Sequence, residues 1–220
     1  MARKTGEKGL KREPVHFPCG ELSLEGTYYV PDGKGAFPGL VLCHPHPLFG
    51  GSMDNNVIYS VSKALTEKSI AVLTFNFRGV GGSQGRYGGG LGEQEDVTSA
   101  LDYLSKRKDI DKGRVGLAGY SFGAMVALPV ANADKRVKAL VLISMPPGPE
   151  QISQLKNCFT PKLLISGTND TVVPVEKARL MAGEAGEPNE TELIQGADHI
   201  WWGYEEMLAQ KVADFFAQKL

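Results

Sequence analysis

Two spacings of apolar residues alternate along the 220-residue chain, one typical of strands and the other of helices. Continuous apolar runs, which favour strands buried on both faces, occur at 39–43, 70–77, 114–118, 137–143 and 162–166. Further strands are predicted at 14–17, 21–30 and 190–194. Helical periodicity begins near residue 54 and returns at 93–107, 121–132, 174–184 and 203–220. This alternation predicts an α/β fold, with a mostly parallel sheet covered by helices on both faces.

The length of the chain favours one domain. We expect residues 13–220 to form it, because no change of composition divides a stretch of that size. Residues 1–12 carry five Lys and Arg side chains without a following apolar run, so a solvated, partly disordered tail is expected there. The segment 146–161 can hold at most a short flap. Asp54 is expected to cap the first helix.

The charge balance and the cysteines narrow the class of partner. A net charge of −1 with 22% charged residues predicts neither nucleic acid nor a membrane surface as partner, and favours a small-molecule substrate. Cys19, Cys43 and Cys158 are odd in number and lack metal-type spacing, so we expect buried thiols. We therefore expect a soluble, cytoplasmic protein without cofactor or metal. Its oligomeric state stays open, with a homodimer as one alternative.

The stretch Gly119-Tyr-Ser-Phe-Gly123 is the main candidate for chemistry, because it lies between a predicted strand and a predicted helix. In a sharp strand-to-helix turn, the two glycines let the backbones approach and the serine side chain is lifted clear of the sheet. Ser121 would then lie at a helix N-terminus, where free N–H groups favour a developing negative charge. An ordinary glycine-rich turn is the simpler alternative.

A serine hydroxyl needs a base and an orienting carboxylate. Asp170 and His199 both follow predicted strands, and the carboxyl ends of parallel strands meet at one edge of a sheet. The order Ser121, Asp170, His199 is the order of the α/β-hydrolase arrangement. We therefore predict Ser121 as nucleophile, Asp170 as acid and His199 as base.

Each partner also has a simpler interpretation. Asp170 would serve equally well as a turn or helix-capping residue before Thr-Val-Val-Pro. Asp198 is a rival carboxylate, although adjacent side chains in a loop usually diverge. His199 could merely anchor the last helix beside two tryptophans. The occurrence of all three residue types at strand ends, in the required order, favours the catalytic interpretation.

An oxyanion hole needs two N–H donors, and we expect one from Phe122, the residue after the serine. The other should come from the loop His44-Pro-His-Pro-Leu48, where both prolines lack an N–H. His46 is the first choice and Leu48 the second. The imidazoles of His44 and His46 could instead hold the loop in shape, and their i, i+2 spacing without a third ligand argues against a metal site.

The glycine-rich stretch 78–85 invites a dinucleotide-binding interpretation, but Gln84 occupies the position of the third glycine and the required acidic residue is absent. We expect this loop to brace the site through Arg78 and Ser83. No phosphate-binding P-loop sequence is present.

Five short segments carry a resemblance to a known family. They are Leu24-Glu-Gly-Thr, His44-Pro-His-Pro, Asn76-Phe-Arg-Gly-Val-Gly-Gly-Ser, Gly119-Tyr-Ser-Phe-Gly and Gly196-Ala-Asp-His. In this order they resemble serine hydrolases of the α/β-hydrolase fold, particularly small, nearly lidless esterase-like members related to dienelactone hydrolases. The resemblance implies an eight-stranded sheet and supports the three assigned roles. Two departures are the serine in place of a dienelactone hydrolase's cysteine, and His44-Pro45 where many relatives have His-Gly.

These features predict a serine hydrolase of short-chain carboxylic esters or thioesters. The acyl pocket is expected to be shallow, because no large cap fits the chain, and to be lined by Leu48, Phe49, Met145 and Trp202. A peptidase or amidase of the same fold is the first alternative. A non-catalytic binding protein with this fold is the second.

Overall fold

A computed structural model describes residues 10–220 and forms one eight-stranded sheet flanked by six α-helices. The strands are β1 Arg12–Cys19, β2 Leu22–Tyr29, β3 Phe37–Cys43, β4 Ala71–Phe75, β5 Ile110–Tyr120, β6 Val137–Ile143, β7 Lys162–Gly167 and β8 Asn189–Ile194. The helices are α1 Asn56–Glu67, α2 Leu91–Lys106, α3 Phe122–Ala133, α4 Pro149–Lys156, α5 Val175–Glu184 and α6 Glu205–Lys219, and a 3₁₀ turn covers Pro47–Phe49.

The strands follow the order β1-β2-β4-β3-β5-β6-β7-β8. β2 pairs antiparallel with both β1 and β4, and all pairs from β4 to β8 are parallel. The parallel strands need helical crossovers, which lie on the two faces of the sheet. The predicted mostly parallel sheet with an antiparallel start is therefore confirmed, and the carboxyl ends of β3 to β8 meet at one edge.

The core has two halves because side chains along a strand point alternately to the two faces of the sheet. In β3, Leu40 and Leu42 contribute to the half beneath α1 and α6, whereas Val41 and Cys43 contribute to the half beneath the other four helices. Such strands are apolar at every position, which explains their continuous hydrophobic sequence. No helix in residues 10–220 is both long and apolar enough to cross a bilayer.

Several boundaries differ from the sequence prediction. The side chain of Asn55, not that of Asp54, caps α1 by accepting a hydrogen bond from the N–H of Val57 at 2.9 Å. The tail predicted at 1–12 lies largely outside the described residues, but Arg12 is already paired with Tyr29 in the sheet. The segment 146–161 contains helix α4, which buries Leu155 in the core.

Candidate active site

Ser121 lies at the turn between β5 and α3 with a backbone φ of 55° and ψ of −116°. A non-glycine residue rarely adopts a positive φ, so the turn is strained. The flanking glycines permit it. A Cβ on Gly119 would lie 2.2 Å from the carbonyl oxygen of Gly123, and one on Gly123 would lie 2.5 Å from that of Cys43. The sequence motif therefore reflects close contacts between the strand, the helix and the neighbouring strand β3.

The three predicted residues form one hydrogen-bonded chain. Ser121 Oγ lies 3.0 Å from His199 Nε2, and His199 Nδ1 lies 2.8 Å from Asp170 Oδ2. An ionised carboxylate only accepts hydrogen bonds, so Nδ1 carries the proton that faces Asp170. A neutral imidazole then has a free lone pair on Nε2, which can accept the Ser121 hydroxyl proton. This is the geometry in which a histidine can act as a base toward a serine.

Asp170 performs the turn role and faces the histidine at the same time. Its Oδ1 accepts hydrogen bonds from the N–H groups of Val172 and Val173 at 2.9 and 2.8 Å, while Oδ2 faces His199. Burial alone would raise the pKa of this carboxyl, but the hydrogen bonds from His199 and Val173 outweigh burial and lower it. The side chain is therefore an ionised, fixed acceptor.

The turn from β5 to α3, residues 119–123, which we call the elbow, contacts the loop that carries His199. The hydroxyl of Tyr120 donates a 2.6 Å hydrogen bond to the carbonyl oxygen of His199. Burial and the nearby charge of Asp170 raise the pKa of Tyr120, so the phenol remains a donor. The rival Asp198 does not contact the imidazole by hydrogen bond, and its Oδ1 is buried without a partner among residues 10–220.

The loop after β3 leaves the backbone N–H of His46 free within residues 10–220. The N–H of Leu48 donates to His46 Nδ1 at 3.2 Å, and the N–H groups of Phe49 and Gly51 donate to the His46 carbonyl oxygen. Within the described chain, the N–H groups of His46 and Phe122 have no hydrogen-bond acceptor. Of the two donors predicted from this loop, His46 is therefore available and Leu48 is engaged.

His44 is fully buried where the ends of β3 and β4 meet. Its Nε2 accepts a hydrogen bond from the N–H of Phe77 at 3.0 Å, and its Nδ1 lies 2.6 Å from the carbonyl oxygen of Pro45. Burial lowers the pKa of His44 to about 4, so the ring is neutral at physiological pH. It belongs to the protein interior, while His46 lies nearer the surface.

An aromatic cluster lies next to the elbow and includes a residue that the sequence analysis missed. The centroid of the His46 ring lies 4.7 Å from the ring centroids of Phe49 and Phe122 and 5.2 Å from that of Tyr87. The Tyr87 hydroxyl is 3.3 Å from His46 Nε2. Tyr87 lies in the glycine-rich loop before α2, where neither periodicity nor a motif marks it. The carboxylate of the buried Glu93 fixes this loop, because it accepts hydrogen bonds from the backbone N–H groups of Gly88 and Gly90, both at 2.7 Å.

The predicted pocket residues divide into two groups. Leu48, Phe49 and Trp202 are on the surface, with exposed fractions of 66%, 87% and 77%. Met145 is 2% exposed and lies in the core beside Met181, apart from the surface that the other three form. The preceding residue, Ser144, has a positive backbone φ of 45°.

Arg78 and Ser83 in the glycine-rich loop after β4 make the backbone and side-chain hydrogen bonds expected of them. Arg78 donates through its backbone N–H and its Nε to the buried carboxylate of Asp96, both at 2.9 Å. Ser83 donates to the carbonyl oxygen of Asn76 at 2.6 Å and accepts from the N–H of Glu25. These contacts join the loop to α2 and β2. No group of three or more His, Cys, Asp or Glu side chains in residues 10–220 is arranged to hold a metal ion.

The chain is similar in sequence to known proteins. Residues 21–214 match the family described as X-Pro dipeptidyl-peptidase (S15 family). The uncharacterized protein RP471 of Rickettsia prowazekii is 31% identical over 209 residues, which cover 91% of this chain and 87% of that protein.

Solved structures agree with the same architecture. An alpha-beta serine hydrolase homologue from Coxiella burnetii is 34% identical, with a TM-score of 0.85 over 92% of this chain and 96% of that one. XC6422 of Xanthomonas campestris, an α/β serine hydrolase without a lid, is 27% identical, with a TM-score of 0.83 over 96% and 95% of the two chains. The predicted α/β-hydrolase fold is confirmed, whereas the narrower likeness to dienelactone hydrolases stays a prediction.

Proposed function

This chain belongs to the X-Pro dipeptidyl-peptidase (S15) family and has the α/β-hydrolase fold, and we propose that it cleaves carboxylic esters through an acyl-enzyme on Ser121. The observation that carries the proposal is the hydrogen-bonded chain from Ser121 Oγ through His199 to Asp170, at 3.0 and 2.8 Å. In this hydrogen-bonded series Ser121 can act as the nucleophile, His199 as the base and Asp170 as the acid that orients the histidine.

In the acylation step, His199 Nε2 takes the hydroxyl proton as Ser121 Oγ attacks the ester carbonyl carbon. The carbonyl oxygen gains negative charge, which the free N–H groups of Phe122 and His46 would stabilise. The N-terminus of α3 favours the same charge. When the carbon–oxygen bond to the alcohol breaks, the imidazolium returns its proton to the departing oxygen. Asp170 stabilises the imidazolium while it exists.

In the second step, water attacks the acyl-enzyme. His199 accepts a proton from that water, the tetrahedral intermediate forms again at the same two N–H donors, and Ser121 leaves with the proton. The products are a carboxylic acid and the free enzyme. Every proton moves through one imidazole, so no cofactor is needed for the cycle.

We propose short-chain esters or thioesters as the substrates. Leu48, Phe49 and Trp202 are largely exposed, which supports a shallow surface for the acyl group over a deep tunnel. The likeness to a lidless hydrolase at 27% identity points the same way. Best turnover on long acyl chains, in a series of p-nitrophenyl esters from acetate upward, would contradict this substrate class.

A peptidase activity is the second candidate, because the family match carries a peptidase description. The free amino group of a dipeptidyl-peptidase substrate is a cation, for which an available carboxylate would be a natural partner. Near Ser121, the carboxylates of Asp170 and Glu93 are both occupied by N–H donors, and Asp198 Oδ1, which has no hydrogen-bond partner among residues 10–220, is buried away from solvent. We therefore favour esters, and hydrolysis of an X-Pro p-nitroanilide faster than of any short ester would reverse that preference.

A fluorophosphonate probe tests the nucleophile directly. We expect the wild-type protein and a Ser60→Ala control, which removes a serine from helix α1, to be labelled, and Ser121→Ala to be unlabelled and inactive. Undiminished labelling of Ser121→Ala would show that another residue reacts. A folded wild-type protein that is never labelled would support the non-catalytic alternative.

A further inference from the structure

We propose that His44 is a positioning residue that orients and polarises the His46 N–H, one of the two donors in the proposed oxyanion hole. The inference rests on the proposed function and adds a residue to it. His44 does not touch the substrate; it acts through the peptide group that joins Pro45 to His46.

The proton on the His44 ring can be assigned from its partners. The backbone N–H of Phe77 can only donate, so Nε2, at 3.0 Å, must be the acceptor and carries no hydrogen. In a neutral imidazole the hydrogen is then on Nδ1, which donates to the Pro45 carbonyl oxygen at 2.6 Å. The ring is fully buried and packs against the Phe77 ring in a T-shaped contact, with a centroid distance of 4.7 Å and an interplanar angle of 61°.

The Pro45 carbonyl and the His46 N–H are the two ends of one planar peptide group. In a trans peptide these two bonds point in opposite directions, so a donor that holds the oxygen also fixes the direction of the N–H. The same hydrogen bond withdraws electron density from the peptide nitrogen and makes its N–H a stronger donor, as in chains of cooperative hydrogen bonds. The His46 N–H itself is free within the described residues, as an oxyanion donor must be before substrate binds.

The sequence around His44 explains why a side chain is needed here. Proline at 45 supplies a carbonyl but no N–H, and the next turn is held by contacts made to His46 and beyond it. The hydrogen bond from His44 is thus the contact that fixes the peptide oxygen at this point of the loop. A second hydrogen bond of the ring, accepted at Nε2 from the N–H of Phe77, ties His44 at the end of β3 to the second residue after β4.

Two amide variants separate the two hydrogen bonds of this ring. In His44→Asn the amide nitrogen takes the place of Nδ1 and can still donate to Pro45, whereas in His44→Gln the amide oxygen takes the place of Nε2 and can still accept from Phe77. We expect kcat for a short p-nitrophenyl ester to fall by about 10- to 100-fold in His44→Gln and by less than about 10-fold in His44→Asn, with KM little changed in both. A purely structural role predicts no such order.

Binding of a trifluoromethyl ketone, which forms an oxyanion on a reactive serine, provides the matching equilibrium readout. Its affinity should fall in parallel with kcat across the two variants, while the rate of substrate binding stays the same. Equal losses in both variants, or a larger loss in His44→Asn, would overturn the inference. If instead the wild-type protein forms no adduct at Ser121, the proposed function fails and not the role of His44 alone.

The wild-type protein offers a test that does not depend on the variants folding. Nitrogen-15 NMR of the histidine rings should show a neutral His44 protonated on Nδ1 at neutral pH, with a downfield Nδ1 proton that reports the short hydrogen bond to Pro45. A ring protonated on Nε2, or one that is charged at pH 7, would overturn the inference.

Discussion

The hydroxyl of Tyr120 and the carbonyl oxygen of His199 are joined by a 2.6 Å hydrogen bond. The residue before the proposed nucleophile thus supports the loop that carries the proposed base. Their rings are also neighbours, with centroids 5.8 Å apart. The distance between Ser121 Oγ and His199 Nε2 therefore depends on a residue of the elbow as well as on Asp170.

Tyr120→Phe removes this hydrogen bond and keeps the ring. We expect kcat to fall by about 3- to 10-fold, because His199 loses one of the contacts that set its position, and the free energy of unfolding to fall by about 1 kcal/mol. Steady-state kinetics and urea unfolding would measure the two effects. Unchanged kcat together with reduced stability would assign Tyr120 a structural role only.

Gly119→Ala and Gly123→Ala should each prevent the native elbow from forming. The added Cβ would lie 2.2 Å and 2.5 Å from backbone oxygens that cannot move without displacing a strand or a helix. We expect a loss of more than about 3 kcal/mol or failure to fold, measured by chemical unfolding and by soluble yield. A variant that folds with native stability would contradict the close contacts described for the elbow.

Gly183→Ala is the matched control for that experiment. Gly183 lies in α5, and nothing would come within 4 Å of its added Cβ. Since alanine favours a helix over glycine by about 1 kcal/mol, the substitution should be neutral or stabilising.

Asp170→Asn should reduce kcat by about 10⁴-fold, because the amide favours the wrong tautomer of His199. Its effect on stability should depend on pH. The pKa of Asp170 is lower in the folded protein than its ordinary value, so the ionised carboxylate stabilises the fold at pH values above about 4. That contribution is lost as the pH falls through the lowered folded pKa.

The stability difference between wild type and Asp170→Asn should therefore be largest near neutral pH and should narrow below about pH 4. Urea unfolding at several pH values would measure it. A difference that grows on acidification would contradict the lowered pKa.

Met145→Ala and Phe49→Ala should behave in opposite ways. Met145 is in the core, so its truncation is expected to cost about 2–5 kcal/mol of stability. Phe49 is 87% exposed, so its truncation should change stability by less than about 0.5 kcal/mol and raise KM for short esters. If Phe49→Ala leaves KM unchanged, the surface at Phe49 does not contact the substrate.

The proximity of Ser121, Asp170 and His199 could be predicted from sequence because it depends only on the order of strands and helices. The parallel sheet brings those three loops to one edge whatever the details of each loop. Asn55, and not the predicted Asp54, caps α1. The sequence pattern does not distinguish these neighbours, because both residue types can accept the same capping hydrogen bond.

The burial of Met145 was not predicted, and Met145 follows an unusual backbone conformation at Ser144. Ser144 and Trp201 both have positive φ, which non-glycine sequences do not reveal, and the Trp201 Nε1–H donates to Ser144 Oγ at 3.1 Å. Trp201 is buried, whereas Trp202 lies at the surface and Met145 lies in the core. Side-chain direction in such loops depends on tertiary contacts that a single sequence does not contain.

The positive φ of Ser121 also bears on how this protein could be changed by selection or engineering. Glycine is the residue that accommodates such a φ at least cost, and relief of the strain would be worth about 1–3 kcal/mol. Selection for thermal stability alone would therefore favour Ser121→Gly, the very substitution that removes the proposed nucleophile. A stabilisation campaign on this protein should hold position 121 fixed and seek its gains elsewhere in the sheet and helices.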